Sequence, residues 1–211
     1  MSGFDSLEEC FEDLAPFIKV CETGLSSDPL MNWRLSQLDQ VTLVSNSDSH
    51  SLEKLGREAN VFNIDFNYNN FYNALITKNP EKFLYTIEFY PEEGKYHYDG
   101  HRLCKVNLSP AEAKKLNNIC PVCHKNLTIG VLHRVDDLAD RAEEEAKNFG
   151  IIPFKCLMSL KEIIADLFST TTFSKKTQDL YSQMIRQYDN EFNILLNISL
   201  QQFIDDGFGA I

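Results

Sequence analysis

The chain reads as an α/β fold, followed by a small subdomain rich in soft side chains and then a helical region. Three observations predict this. Short apolar runs alternate with helical periods up to residue 67. Two close pairs, His101 with Cys104 and Cys120 with Cys123, stand fifteen residues apart. Amphipathic helical patterns then run from Val135 onward. The expected regions are 1–67, 68–140 and 141–211.

In the first region, Ser6 with Glu9 forms a capping box that opens a short helix to Leu14. Residues 17–22 are almost unbroken in apolar character and end near Gly24, which predicts a buried strand. Residues 32–39 suit a short helix, and 41–45 a second buried strand. Residues 52–61 suit another helix, with Leu52, Leu55, Ala59 and Phe62 on its inner face. This order is that of βα units with parallel strands. Two strands cannot bury both faces of a parallel sheet, so the region is expected to be the end of something larger.

In the second region, 68–77 is expected to be helical with Phe71, Leu75 and Ile76 inward, and 83–89 alternates like a strand. Ser109, Pro110 and Glu112 make a strong helix start, and Asn117 with Asn118 suits a left-handed exit. Residues 127–132 read as a strand. In the third region, 135–149 is expected to be one helix. Ser159 with Glu162 caps another helix that runs to Phe168, and 177–188 is a third. The chain ends soon after Gly207 and Gly209.

Composition narrows the class. With 43% hydrophobic and 24% charged residues, the chain is of globular rather than disordered type. A net charge of -11 argues against a general nucleic-acid coat, although a local basic patch can still bind phosphate. No apolar run reaches the length of a membrane span, and residues 1–10 lack a signal-peptide core. Three of the six cysteines fall in the paired hooks, while Cys10, Cys21 and Cys156 are scattered. That usage suits a reducing cytoplasm better than a disulfide framework.

The hooks point to zinc. Zn2+ takes four ligands in a tetrahedron, and thiolates and imidazoles satisfy it best. In a ligand-x-x-ligand hook both side chains converge as the backbone turns. Pro121 stiffens the second hook, and the capped helix between the hooks sets their separation. His101, Cys104, Cys120 and Cys123 form the expected set, with His97, His124 and His133 as rivals for the fourth position. Four protein ligands leave no open site, so the ion's role is structural.

A second stretch, 45–50, carries Asp48 and His50 just past a predicted strand, where α/β folds place active sites. An Asp-x-His pair is a usual metal-ligand combination. A serine-rich turn with one Asp and one His is also a common loop-capping arrangement. Glu22, at the end of the preceding strand, faces the same cavity or pairs with Arg34 or Arg57.

These residues carry a resemblance. The stretches 32–36, 45–50, 54–60 and 86–97, the two hooks and 131–135 together resemble the endonuclease Q family, over residues 3–197. The resemblance implies a polymerase-and-histidinol-phosphatase (PHP) domain, a distorted βα barrel, with a zinc-binding insertion and a helical C-terminal part. It implies a metal-dependent endonuclease that cuts DNA 5′ to deaminated bases (uracil, hypoxanthine, xanthine) or abasic sites. Asp48 and His50 then correspond to ligands of a cluster of divalent ions (Zn2+, Mn2+ or Mg2+). The family's early His-x-His motif is absent, since the five histidines are His50, His97, His101, His124 and His133.

The chain therefore resembles a C-terminal portion that is inactive alone, and a separate polypeptide could carry the other barrel half. DNA phosphate contacts are expected from Arg34, Lys54, Arg57, Lys175 and Lys176, and base stacking from Trp33 or Tyr98. The competing readings are a non-catalytic, zinc-stabilised module that binds DNA or protein, and a remnant without function.

Overall fold

A computed structural model describes residues 4–208 of the chain. The ends of the stretches discussed above, 1–3 and 209–211, lie outside the described residues. The chain forms two compact units, Met1–Cys156 and Leu157–Ile211. The expected boundary after residue 140 does not coincide with this division. A strand beyond it, Phe154–Cys156, belongs to the first unit.

In the first unit, helix α1 (Leu7–Phe11) opens where Ser6 accepts a hydrogen bond from the Glu9 N–H. It stops before Leu14, because a 3-10 turn, Glu12–Phe17, takes over around Pro16. Strand β1 (Val20–Glu22) is shorter than the expected 17–22 and less buried. Phe17 is 76% exposed. Helix α2 (Pro29–Trp33) starts ahead of the expected 32, because Asp28 caps it and Pro29 fills its first turn. The rest of 32–39 is a 3-10 turn, Ser36–Leu38. Strand β2 (Thr42–Val44) pairs with β1 in parallel, Val20 opposite Thr42.

The helix expected over 52–61 is not formed. A 3-10 turn, Leu52–Lys54, leads through Gly56 at φ +75° into strand β3 (Ala59–Phe62). Leu52 and Leu55 are 83% and 65% exposed, so the presumed inner face buries nothing at its start. The left-handed backbone at Gly56 breaks the helical path. Phe62 stacks instead on Phe83, with ring centroids 4.5 Å apart. Helix α3 (Tyr68–Thr77) has the expected bounds, but it buries Ala74 and Leu75 while Phe71 and Ile76 stay exposed.

Strand β4 (Phe83–Glu88) pairs antiparallel with β3. Strands β5 (Asp99–His101) and β6 (Val106–Leu108) form an antiparallel hairpin, followed by α4 (Pro110–Lys115). The strand expected over 127–132 reduces to one bridge between Thr128 and Gly100, because Gly130 already caps α5 (Val131–Leu138). The helix expected over 135–149 is broken. Between α5 and α6 (Glu143–Ala146) the N–H groups of Asp140 and Arg141 donate to the Arg34 carbonyl, and Arg141 grips Asp39 through two hydrogen bonds of 2.7 and 2.5 Å. Strand β7 (Phe154–Cys156) then pairs in parallel with β4.

The second unit holds α7 (Leu160–Leu167), α8 (Lys175–Tyr188), α9 (Glu191–Asn197) and α10 (Leu200–Phe203). Leu160, Ile164, Met184, Tyr188, Ile194 and Phe208 form its core. The Ser159 hydroxyl accepts from the Glu162 N–H at 3.3 Å and meets its carboxylate at 2.6 Å. Helix α8 starts two residues before the expected 177, capped by Ser174. Ser159→Ala leaves the first-turn N–H of α7 without a side-chain partner. It is expected to cost about 1 kcal/mol, read as a lowered urea midpoint for helical circular dichroism. An unchanged midpoint would show that the cap contributes nothing to the unit.

Candidate metal centre and strand-end site

The two hooks converge. His101 closes β5, and a 3-10 turn, Arg102–Cys104, swings Cys104 beside it. The capped helix then returns the chain. Ser109 and Glu112 exchange both bonds of the capping box, and Asn117 and Asn118 exit at φ 51° and 57°. In the second hook the Cys120 N–H donates to the Lys125 carbonyl at 2.8 Å, and the His124 N–H to the Cys120 carbonyl at 2.9 Å. One ligand atom from each of His101, Cys104, Cys120 and Cys123 lies within 4.8 Å of the others.

The electrostatics match a cation site. Burial, with the neighbouring Cys123 and Cys120 sulfurs, pushes the Cys104 thiol up to about 11. Burial also raises Cys120, but backbone N–H groups of Cys123 and Val122 outweigh it and hold that thiol below its ordinary range. Three thiols this close cannot all ionise without a compensating positive charge, and a divalent ion supplies it. The donor set is three sulfurs and one imidazole. It fits a closed tetrahedral ion and leaves no position for substrate.

Of the four histidines the sequence left in play, only His101 joins the set. His97 is buried with its Nδ1 3.0 Å from the Ser26 carbonyl. His133 is buried with its Nδ1 2.5 Å from Asp99 Oδ2. His124 sits in the left-handed turn that closes the second hook.

A second group of side chains lies at one end of the strands. Because β1 and β2 run parallel, their C-terminal ends face the same way. Hydroxyls join them to the end of β4. The Thr23 hydroxyl donates to Glu88 Oε2 at 2.9 Å, the Thr86 hydroxyl to Glu88 Oε1 at 2.5 Å, and the Ser45 hydroxyl to the Ile87 carbonyl at 2.7 Å. Burial raises the Glu88 carboxyl and these hydroxyls oppose the rise.

Glu58 is 2% exposed and its Oε2 has no hydrogen-bond partner. Burial first, then the charges of Glu88 and Glu22, push its carboxyl up to about 7. Sequence reasoning missed both acids. Glu58 fell inside the helix expected over 52–61, and a glutamate in an alternating strand carries no sign of its burial.

Asp48 and His50 sit in the loop after β2, both exposed, with Asp48 at φ 44°. The His50 Nδ1 lies 2.9 Å from the Asp48 carbonyl oxygen. Among the described residues no third His, Cys, Asp or Glu joins them in a ligand cluster. Asp48 and His50 are suitable donors, but by themselves they do not make a catalytic metal site.

Three of the expected DNA contacts, Arg34, Arg57 and Lys176, have engagements within the fold. Arg34 pairs with Asp136 at 3.1 Å. The Arg57 Nε donates to the Ser47 carbonyl at 2.8 Å. The Lys176 ammonium lies 3.4 Å from the Phe168 ring centre, while Lys175 opens α8 and Lys54 ends the turn after the Asp48 loop. Trp33 meets Phe154 edge-on at 5.7 Å and lies so close to Gly150 that a Cβ there would stand 2.2 Å from its ring. Tyr98 packs edge-on against His97 at 4.5 Å.

Comparison with known proteins places the chain among partial matches. Residues 159–206 match the family model described as the MJ0043 C-terminal domain. The chain is 31% identical over 205 residues to the uncharacterized protein MJ0043 of Methanocaldococcus jannaschii, covering 95% of this chain and 26% of that protein. It is 33% identical over 140 residues to the uncharacterized protein YqxK of Bacillus subtilis, covering 65% of this chain and 34% of that one.

Among solved structures it is similar to the lesion-specific endonuclease Q of Pyrococcus furiosus. The TM-score is 0.84 with 27% identity, over 98% of this chain and 51% of that chain. It is also similar to an endonuclease Q in complex with a 27-mer duplex substrate with an abasic lesion at the active site. There the TM-score is 0.81 with 26% identity, over 97% of this chain and 51% of that one. The chain thus spans 26% and 34% of the curated relatives and 51% of the solved chains, and the resemblance fits a C-terminal portion.

Proposed function

We propose that the chain is the C-terminal part of a metal-dependent DNA repair endonuclease that cleaves 5′ to deaminated bases or abasic sites, and that it does not cleave DNA alone. The observation that carries this reading is the likeness to endonuclease Q over nearly the whole chain, at a TM-score of 0.84. On this reading 1–67 is the last part of a PHP barrel, 68–140 a zinc-binding subdomain and 141–211 a helical region. The hooks hold structural Zn2+. Asp48 and His50 supply two ligands of a cluster of Zn2+, Mn2+ or Mg2+ completed from elsewhere. Two ligands cannot hold such a cluster against water.

The missing ligands come from a preceding barrel half, in the same polypeptide or a separate one. Exposed Phe17, Tyr72 and Ile76, on the elements around β1, are apolar surface that such a half would cover. Among the described residues no helix is long and apolar enough to cross a membrane, and the enzyme is proposed to act in the cytoplasm on DNA containing deaminated bases. Phosphate contacts are assigned to Arg34 and Lys54 and to Lys175 and Lys176 at the start of α8, while Arg57 holds the Ser47 carbonyl.

The test is metal-dependent cleavage of duplex DNA carrying one uracil or one abasic site. The chain is assayed alone and then with a polypeptide equivalent to the other half of endonuclease Q. Cleavage only in the mixture is the expected result. Cleavage by the pure chain would overturn the claim of inactivity. A second reading, a zinc-stabilised binding module without catalysis, draws on the contrast between the converged hooks and the incomplete Asp48–His50 pair. Salt-sensitive duplex binding without cleavage in either arm would favour it.

A further inference from the structure

The loop that carries Asp48 and His50 is held from one side by a short segment, 57–60. The Asn60 side chain reproduces a strand partner for Ser45. Its Oδ1 accepts from the Ser45 N–H at 2.9 Å, and its Nδ2 donates to the Ser45 carbonyl at 2.6 Å and to Asn46 Oδ1 at 3.3 Å. Two residues further along the loop, the Arg57 Nε donates to the Ser47 carbonyl at 2.8 Å, and its Nη2 lies 3.5 Å from the Asp48 carbonyl oxygen. Asp48 stands at φ 44°, in the left-handed region that aspartate tolerates better than most non-glycine residues.

That carbonyl also decides the state of His50. A carbonyl oxygen accepts and cannot donate, so the His50 Nδ1, 2.9 Å away, must carry the proton. Neutral imidazole has one N–H, which leaves Nε2 with a free lone pair. A ring nitrogen whose partner donates to a backbone carbonyl is the usual state of a metal-ligating histidine.

We infer that Arg57 and Asn60 are positioning residues which fix the Asp48 carbonyl and thereby hold His50 as its Nδ1–H tautomer, with Nε2 presented to a divalent cation. The inference rests on the proposed reading of Asp48 and His50 as metal ligands, and it assigns Arg57 a role other than gripping phosphate. The Asp48 carbonyl has two lone pairs, so it receives Arg57 and His50 together. Asn60 anchors the root of the loop and Arg57 its crest. Loss of either frees the Asp48 peptide to turn.

The test reads the tautomer directly and needs no nuclease activity. Long-range 1H–15N spectra of the full chain are recorded at pH 8.5, where imidazoles are neutral. The expected result is a His50 Nδ1 resonance of protonated type and an Nε2 resonance of lone-pair type. In Arg57→Ala and Asn60→Ala this assignment is expected to move toward the Nε2–H form, while Arg57→Lys, which can still donate to a carbonyl, restores part of it. Resonances of His101 and of the 157–211 unit serve as folding controls.

An Nε2–H tautomer in the unsubstituted chain overturns the proposal without reference to any variant. So does a tautomer that stays put in folded Arg57→Ala and Asn60→Ala. Absence of cleavage in the mixing experiment, with the Nδ1–H form intact, would instead fault the endonuclease reading alone.

Discussion

Chelation of the metal, or Cys120→Ser, is expected to unfold the segment between β5 and Thr128. On the proposed structural-zinc reading it should release one zinc ion per chain, measured by native mass spectrometry, and abolish hydrogen-exchange protection there. Cys120 is fully buried among Ala113 and Leu127, and the partly buried Cys104, Val106, Leu108 and Cys123 pack around them. This is too small a cluster to offset the ordering entropy of the two hooks. Structural zinc in isolated fingers binds with an apparent free energy of about 10–16 kcal/mol near neutral pH, comparable to the stability of a whole domain. Without the ion the three crowded thiols cannot all ionise, and Cys104, raised to about 11, keeps its proton. The 157–211 unit, with its own core, is expected to keep its helical signal. Unchanged protection in the hooks of a metal-free chain would refute the structural role.

Raising the pH from 5 to 8 is expected to weaken the first unit through Glu58, and Glu58→Gln to remove most of that loss. The carboxyl is raised from 4.5 to about 7 by burial and by the charges of Glu88 and Glu22. A group raised in the folded state binds its proton more tightly there than in the unfolded chain. Its contribution is therefore fully favourable below 4.5 and is lost as pH rises toward 7. The difference corresponds to about 3 kcal/mol. Urea unfolding of both proteins at pH 5 and pH 8 measures it, with the folded fraction of the first unit followed by Trp33 fluorescence. If the two proteins lose the same stability across that window, Glu58 is not the group responsible.

The features visible in the sequence are those whose physics is local. The capping box at Ser109 and the side-chain cap at Ser159 formed where expected, because each closes over three residues and needs nothing from the rest of the chain. The bounds of α3 and the left-handed exit at Asn117 and Asn118 have the same basis. The hooks were legible because ligand chemistry restricts both residue type and spacing. The choice among His101, His97, His124 and His133 was not, since it depends on which imidazole already has another partner.

Misreadings arose where long-range pairing decides. Residues 52–61 carry a helical spacing of apolar side chains, yet β4 offers Ala59–Phe62 a ladder of backbone partners and Gly56 breaks the helical path. Residues 154–156 fall inside the region expected to be helical, 141–211, yet β4 pairs with them as a strand. The long helix from Val135 fails because Arg34 and Asp39, a hundred residues earlier, capture Asp140 and Arg141. The partners of Arg57 were equally out of reach, since the Ser47 carbonyl it meets ten residues earlier leaves no mark on the sequence.

By itself the sequence determined the two hooks with their three cysteines, the capped helices around them and the resemblance to endonuclease Q, all of which depend on residue identity at short spacing. Only the tertiary structure decided that β3 and β7 are strands, that Glu58 and Glu88 are buried together, and that Arg57 and Asn60 hold the loop bearing Asp48 and His50. These depend on backbone groups and charges far apart in the chain finding partners in space. A hydrogen-bond partner or a buried charge leaves no periodicity in a sequence.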